Sequence, residues 1–220
     1  MVNFLSLKTI NKLYKNSLLI VFFIFISTTF AQDFPSDFWH KGTIVLKNGD
    51  TLTGPLMYNL PQNILLLKKE NLKQSFSPDQ VLTFSFVDVM DSYSRHFSTQ
   101  ELFIAQEHSF IMFFELLNVG ENILFTRERI QLSRQAAMAS QGFAISNYEL
   151  GFDYYYLPKD SIYLQPLRNT RKGLYDFFGV YKKQMKVFMK KNKIHYSYTH
   201  KKNMILIFKQ LEFLKNKEDE

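Results

Sequence analysis

The chain has 220 residues, of which 46% are hydrophobic and 21% are charged, and its formal net charge is +7. It contains no cysteine, which excludes disulfide bonds, thiolate metal sites, thiol nucleophiles and a lipid-modified N-terminal cysteine. A chain of this length and composition predicts one domain, or one domain with an appendage, that buries its own hydrophobic core.

Residues 1–31 have the pattern of a secretory signal peptide. A segment with three lysines and no acidic residue precedes an uncharged run from Leu18 to Phe30, and the small residue Ala31 follows. A basic, then apolar, then small-residue order is typical of a cleaved leader, and this run is shorter than the about 20 residues of a membrane span. Since an exported chain without disulfides suits a bacterial envelope, we predict the periplasm or cell surface of a Gram-negative bacterium.

Charge divides the rest of the chain into two segments. Residues 32–167 carry 10 basic and 15 acidic residues, and residues 168–220 carry 14 basic and 5 acidic ones. Opposite net charges predict that the second segment docks on the first or binds an anionic partner. The predicted domains are a signal peptide (1–31), an antiparallel β domain (32–167) and a basic amphipathic helical hairpin (168–220).

Short strands separated by polar turns predict the β domain. Trp39 precedes the first strand and is a candidate lid on the core and a candidate ligand-binding residue. Asn48–Asp50 predicts a tight turn between strands at 41–47 and 51–58, because Asn-Gly readily adopts positive φ angles. Further strands are predicted at 63–68, 74–77, 81–87, 93–97, 152–157 and 162–167. This pattern favours a mainly β fold, an antiparallel meander that curls into a barrel or sandwich, and α+β overall once the helices are included.

The most apolar stretch, residues 109–127, predicts a β-hairpin in the middle of the core. Its first strand is apolar on both faces apart from Glu115, so both faces are expected to be covered. If the turn pairs Leu117 with Ile123, Glu115 lies diagonal to Arg127 and within its reach. We therefore predict a structural Glu115–Arg127 ion pair, with a catalytic carboxylate as the alternative.

Two features follow this hairpin. Residues 129–147 are rich in Gln, Ser and Ala, and they predict a long mobile loop. Tyr154 and Tyr156 then lie on one face of a predicted strand, with Tyr155 on the other. An exposed tyrosine pair binds glycans or protein partners, which makes Tyr154 and Tyr156 candidate ligand-binding residues, and packing in a half-buried strand is the other interpretation.

From Gly173 onward the apolar residues recur with the helical period of about 3.6 residues. One stripe ends at Phe188, a second runs from Met204 to Leu214, and Thr199 is a candidate N-cap between them. The lysines opposite the first stripe are a candidate membrane or partner surface: Lys182, Lys183, Lys186 and Lys190. The stripe either packs on the β domain or lies on an anionic membrane surface. Nucleic-acid binding is not predicted, because this lysine face lacks arginine and aromatic residues.

Motifs that carry known chemistry are missing from the sequence. The histidines and acidic residues show no metal-ligand spacing. No nucleophile elbow surrounds any serine, and neither the phosphate-binding loop nor the dinucleotide fingerprint occurs. We therefore predict no catalytic residue, no metal and no cofactor.

The segment Ile44–Gly54 together with Asn59–Leu66 resembles the first sequence motif of Sm-like RNA-binding barrels. In that family an Asp and an Asn four residues apart recognise a base, and Asn59 and Asn63 stand at those positions here. The resemblance implies a strongly bent hairpin of the kind found in small barrels. It does not carry RNA binding over to an exported chain.

The chain as a whole is similar to uncharacterised exported β-rich proteins of Bacteroidetes-type bacteria. The similar segments are Gly42–Asp50 with Gly54, Ser77–Phe84, Phe113–Glu115 with Gly120, and Lys190–Ile194. This resemblance implies export and a β-rich fold. The predicted function is that of a non-catalytic binding or structural module of the cell envelope, whose partner is an envelope protein, a wall polymer or an anionic membrane surface. The alternative is a small-ligand or glycan-binding protein, or a hydrolase, with its site in the β domain.

Overall fold

The three-dimensional structure is a computed structural model that describes residues 34–70, 72–90, 92–105, 108–133, 148–168, 170–195 and 200–217. Every described residue belongs to one compact unit, Phe34–Glu220. The predicted signal peptide and most of the predicted loop 129–147 lie outside the described residues.

Within the described ranges, ten strands form the body of the protein. Their bounds are β1 His40–Leu46, β2 Thr51–Asn59, β3 Ile64–Lys69, β4 Leu72–Phe76, β5 Val81–Val87, β6 Ser94–Ala105, β7 His108–Asn118, β8 Ile123–Leu132, β9 Tyr148–Leu157 and β10 Gln165–Leu167. The first part of the predicted loop, 129–132, is therefore strand, and the last predicted strand is shorter than expected.

All ten strands lie in one antiparallel sheet with the order β10-β9-β8-β7-β6-β5-β1-β2-β3-β4. The predicted fold class, mainly antiparallel β with a helical C-terminal segment, is confirmed. The sheet is open, because β10 and β4 stand at its two ends without pairing to each other in the described structure.

In the described part of the chain after the sheet there are three helices: α1 Arg171–Phe178, α2 Lys182–Lys191 and α3 Lys201–Asn216. The first predicted helix is thus broken in two. Gly179 ends α1 with a φ of 54° and a ψ of −124°, a conformation that favours glycine, and a short 3-10 turn then leads into α2. The predicted N-cap Thr199 lies outside the described residues, and His200 occupies the N-cap of α3.

The strand register defines an inner and an outer face of the sheet. Directly paired residues share a face, and one inner row crosses seven strands: Ile44, Phe84, Phe97, Glu115, Thr126, Tyr154 and Leu167. Over β1 to β7 the inner face packs an aromatic core around Phe84 and Phe97. Over β8 to β10 it packs against the buried stripes of all three helices.

The hairpins β6–β7 and β8–β9 diverge within the sheet. Strand β7 pairs with β8 only from Glu115 to Asn118, although β7 pairs with β6 as far as His108 and β8 pairs with β9 as far as Leu132. Glu115 therefore stands where the two hairpins begin to separate. Phe113 and Phe114, on opposite faces just before it, are both buried, so the strand is covered on both sides there, whereas Phe110 and Ile111 near its start are 53% and 40% exposed.

Candidate functional site

A cluster of five charged side chains lies at this point of divergence. Arg95 of β6 is 3% exposed, and its Nη2 atom lies 2.6 Å from Glu115 Oε2 and 2.7 Å from Glu128 Oε1. Its Nη1 atom lies 3.4 Å from Asp88 Oδ2. Lys201 of α3 adds Nζ contacts of 2.7 Å to Glu115 and 2.6 Å to Glu128. Three carboxylates thus face two cations in the interior.

The aromatic core holds the Arg95 guanidinium in place. Its central carbon lies 5.6 Å from the ring centroid of Phe86 and 5.1 Å from that of Phe97, which is within the range of cation–π attraction. The Glu115 carboxylate accepts hydrogen bonds from both Nε and Nη2 of Arg95. Such two-point pairing fixes the orientation of both side chains.

The carboxylates keep both cations charged in spite of burial. Desolvation works to lower the pKa of Arg95, but Glu115 and Glu128 outweigh it and raise that pKa. The same balance raises the pKa of Lys201. Burial also raises the pKa of the neighbouring Tyr93 phenol, and Glu115 adds to this effect. The cluster is therefore a set of mutually stabilised charges.

The predicted Glu115–Arg127 pair is wrong. Glu115 pairs in register with Thr126, one residue beyond the expected position, because the turn closes at Asn118 and Leu124 and the register then shifts by one between Leu116 and Asn118. Its ionic partners are Arg95 and Lys201 instead. Glu115 is 3% exposed, and its carboxylate is engaged by both cations of the cluster, as expected for a structural ion pair.

Arg95 and Lys201 were not singled out from the sequence, although one signal for Arg95 was present. Arg95 shares the strand parity of Phe97, so it points into the core if Phe97 does. Lys201 gave no comparable signal, because its partners lie 86 and 73 residues away in the chain. Only the docking of α3 on the sheet brings them together.

The predicted lysine face of the helical segment is exposed. Lys182, Lys183, Lys186 and Lys190 are all exposed on α2, whereas Met185 and Met189 on the opposite side are buried. The Nζ atoms of Lys182 and Lys186 lie 4.9 and 4.7 Å from the ring centroid of Tyr175. The apolar stripe thus packs on the rest of the protein, and the basic face points to solvent.

Apolar side chains interrupt the basic faces of both long helices. On α2, Val187 is 65% exposed and lies one turn from Lys183 and Lys190. On α3, Leu206 is 45% and Phe213 61% exposed, and the helical period places them in one stripe with the lysines at positions 202 and 209. Each helix therefore presents an exposed stripe in which lysines alternate with hydrophobic residues.

The three aromatic candidates have packing roles in the structure. Tyr154 is 2% exposed within the helix-covered core. The Tyr156 ring contacts that of Phe177 at a centroid distance of 4.8 Å, and its hydroxyl donates to Gln165. Trp39 is half-buried beside β1, with Lys73 Nζ 5.7 Å from its ring. Tyr154 and Tyr156 therefore do not form an exposed platform.

The two asparagines of the Sm-like motif make hydrogen bonds within the chain. Asn63 Oδ1 accepts from the Tyr58 hydroxyl at 3.1 Å and from the Phe113 N–H at 3.3 Å. Asn59 Oδ1 accepts from the Gln62 N–H at 3.0 Å. These bonds shape the β2–β3 turn and tie it to β7.

Comparison with known proteins found no match: no family model, no curated protein and no solved structure matches the chain. Among the described residues, none of the helices is long and apolar enough to cross a membrane.

Proposed function

We propose that this protein is an exported, non-catalytic module of the cell envelope that attaches to an anionic membrane surface through the exposed stripes of α2 and α3. The predicted leader supports export. The observation that carries the attachment is the exposure of Val187, Leu206 and Phe213 between lysines. Each lysine near the membrane surface contributes about 1 kcal/mol of attraction to anionic lipid headgroups. The exposed apolar side chains strengthen binding by inserting shallowly into the membrane.

The exposed apolar residues favour a membrane over a soluble polyanion such as a wall polymer. Binding to a soluble polyanion depends on positive charge alone, so it would not explain why the Phe213 side chain is 61% exposed. The buried stripes of the helices are already packed in the core, so attachment leaves the fold intact. The protein therefore binds peripherally, with its helices lying on the surface.

Cosedimentation with vesicles tests this proposal. The chain from Gln32 onward should bind vesicles that contain phosphatidylglycerol, bind phosphatidylcholine vesicles weakly, and lose affinity at high salt. The double variant Lys183→Gln/Lys190→Gln removes two surface charges and should bind about 30-fold more weakly. The matched control is Lys68→Gln/Lys69→Gln, which alters two exposed lysines at the end of β3.

The variant Phe213→Ser tests the contribution of apolar insertion to vesicle binding separately from that of charge. This variant should weaken binding at high salt as well as at low salt, because burial of apolar area is not screened. The proposal is wrong if the unmodified chain stays in the supernatant with anionic vesicles at low salt, or if the α2 double variant binds as tightly as its control.

A further inference from the structure

A groove crosses the outer face of the sheet over β2, β1, β5 and β6, on the side opposite to the buried charges. Two cavities of about 770 and 260 Å³ form it, and both have Thr43 and Ser85 in their walls. Ligand sites typically measure about 300–1,000 Å³. The groove therefore has the size for a small ligand, and none of the helices contributes to it.

Hydroxyl groups in register line the floor of this groove. One outer row crosses four strands as Thr53, Thr43, Ser85 and His96, and Thr83 belongs to the next row along. None of the hydroxyls of these threonines and Ser85 is hydrogen-bonded to another group of the described chain. Each is free to donate and accept, and neighbouring hydroxyls stand about 4.8 Å apart, the spacing of strands.

The charges around the groove have one sign. Lys41 lies in its wall on β1, and His96, whose Nε2 atom is 3.2 Å from Ser94 Oγ, lies on β6. Two strand spacings, about 10 Å, separate β1 from β6. Among the described residues that line the two cavities, none is acidic. An anionic group on the ligand therefore meets the Lys41 ammonium and the His96 imidazole there.

The aromatic residues of these strands offer no stacking surface to the groove. Phe84, Phe86 and Phe97 point to the inner face, where they are 2%, 4% and 4% exposed. Apolar side chains share the walls with the hydroxyls: Val45 and Leu116 in the smaller cavity, and Pro55 and Val87 in the larger one. The groove therefore suits a ligand that combines hydroxyl groups with apolar ring faces, as a sugar does.

We propose that this groove binds a short acidic glycan. The sugar hydroxyls exchange hydrogen bonds with Thr43, Thr53 and Ser85, and a carboxylate of the glycan pairs with Lys41 or His96. This site is independent of the helices, so its failure would leave the proposed membrane attachment untouched, and the reverse also holds.

Titration of the ¹⁵N-labelled chain from Gln32 to Glu220 with trigalacturonate, followed by amide chemical shifts, tests the assignment. Saturable shifts are expected in β1, β5 and β6, with at least tenfold weaker binding of the neutral maltotriose. Shifts confined to α2 and α3, equal affinity for the two sugars, or no saturable shift would each overturn it.

Two pairs of variants locate the site. Lys41→Gln should weaken trigalacturonate binding about tenfold, whereas Lys47→Gln, an exposed lysine just beyond the same strand and outside the groove, should leave it within about twofold. Ser85→Ala should weaken binding severalfold, and Ser75→Ala on the exposed strand β4 should not. Equal effects within either pair would contradict the proposed position. Lys41→Gln should also leave vesicle binding unchanged.

Discussion

Arg95 brings a permanent charge into an aromatic core, and three carboxylates compensate for it. Desolvating these groups costs several kcal/mol per ion, roughly, so a buried cluster of this kind adds little net stability over a hydrophobic replacement. Its main effect is specificity, because an unpaired member is expensive. Lys201 is satisfied only when α3 lies where it does, which makes the cluster a positional constraint on the helix.

Lys201→Met should destabilise the protein by about 3 kcal/mol, because it leaves Glu115 and Glu128 buried with Arg95 as their remaining cation. Lys202→Met is the matched control, since this neighbouring lysine is exposed, and it should change the free energy of unfolding by less than about 0.5 kcal/mol. Urea denaturation measures both variants. Equal destabilisation would show that the ion pairs do not hold α3.

Stability should fall as the pH rises above about 10. Burial raises the pKa of Tyr58 from 10.0 to about 12, so the folded state holds this proton more tightly than the unfolded state. The corresponding stability is complete below pH 10 and is lost between pH 10 and about 12. The raised pKa of Lys201 acts in the same direction. Urea unfolding at several alkaline pH values should show this decline.

Tyr58→Phe isolates the contribution of this phenol. The variant should lose less stability than the unmodified protein over the alkaline range, because it has no phenol to ionise. The control is Tyr163→Phe, which changes a tyrosine that is 53% exposed. Its stability should depend on pH in the same way as that of the unmodified protein. Parallel pH curves for all three proteins would contradict the assignment to Tyr58.

Residue types in the sequence predicted that Glu115 needs a cationic partner, but they did not identify the partner. The expected pair assumed that Leu117 pairs with Ile123, but the turn closes at Asn118 and Leu124, and the following shift by one residue leaves Glu115 opposite Thr126. Such a shift changes which face a side chain takes. No local sequence pattern identifies Lys201 as a partner of Glu115, because this lysine belongs to a helix 86 residues further along the chain.

Elements with strong local signals were predicted well. The turn at Asn48–Asp50 joins β1 to β2 as expected, and Gly49 has the positive φ of 94° that such a turn needs. Strand β6 extends to Ala105, eight residues beyond the prediction, because residues 98–101 are polar enough to resemble a loop and the strand continues through them by pairing with β7. Tertiary pairing overrides weak propensity there.

The helical elements show the limit of periodicity. The apolar positions predicted one continuous first helix, and the buried residues Leu174, Phe178, Met185 and Met189 do belong to one core. All four side chains lie in this core although the helix is interrupted at Gly179. A glycine within a helical pattern is tolerated in many helices, so its presence alone did not predict a break.

On the scale of the whole molecule, the helices and strands β8 to β10 share one core. The predicted domains 32–167 and 168–220 are therefore joined by packing as well as by the cluster around Lys201. Removing residues after Leu167 would expose Leu124 and Tyr154, and it would leave Glu115 and Glu128 without Lys201, one of their two cations. Point variants on the exposed stripes are for this reason the appropriate test of membrane attachment.

The proposed export also concerns the whole chain. Cell fractionation should place the protein outside the cytoplasm, and N-terminal sequencing should find Gln32 as its first residue. Ala31→Lys should block cleavage, because the signal peptidase requires a small residue at that position. A full-length chain that remains in the cytoplasm would contradict the predicted leader.

The order of the strands has a consequence for how the sheet assembles. Of the nine pairings among the described strands, eight join strands that are neighbours in sequence, and only β1 with β5 closes a longer loop. Local pairings form with little loss of chain entropy. Lys201 joins α3 to Glu115 and Glu128, which lie 86 and 73 residues away in the chain. Its partners are in position only where β6, β7 and β8 bring Arg95, Glu115 and Glu128 together, so the ionic contacts of α3 require an intact central sheet.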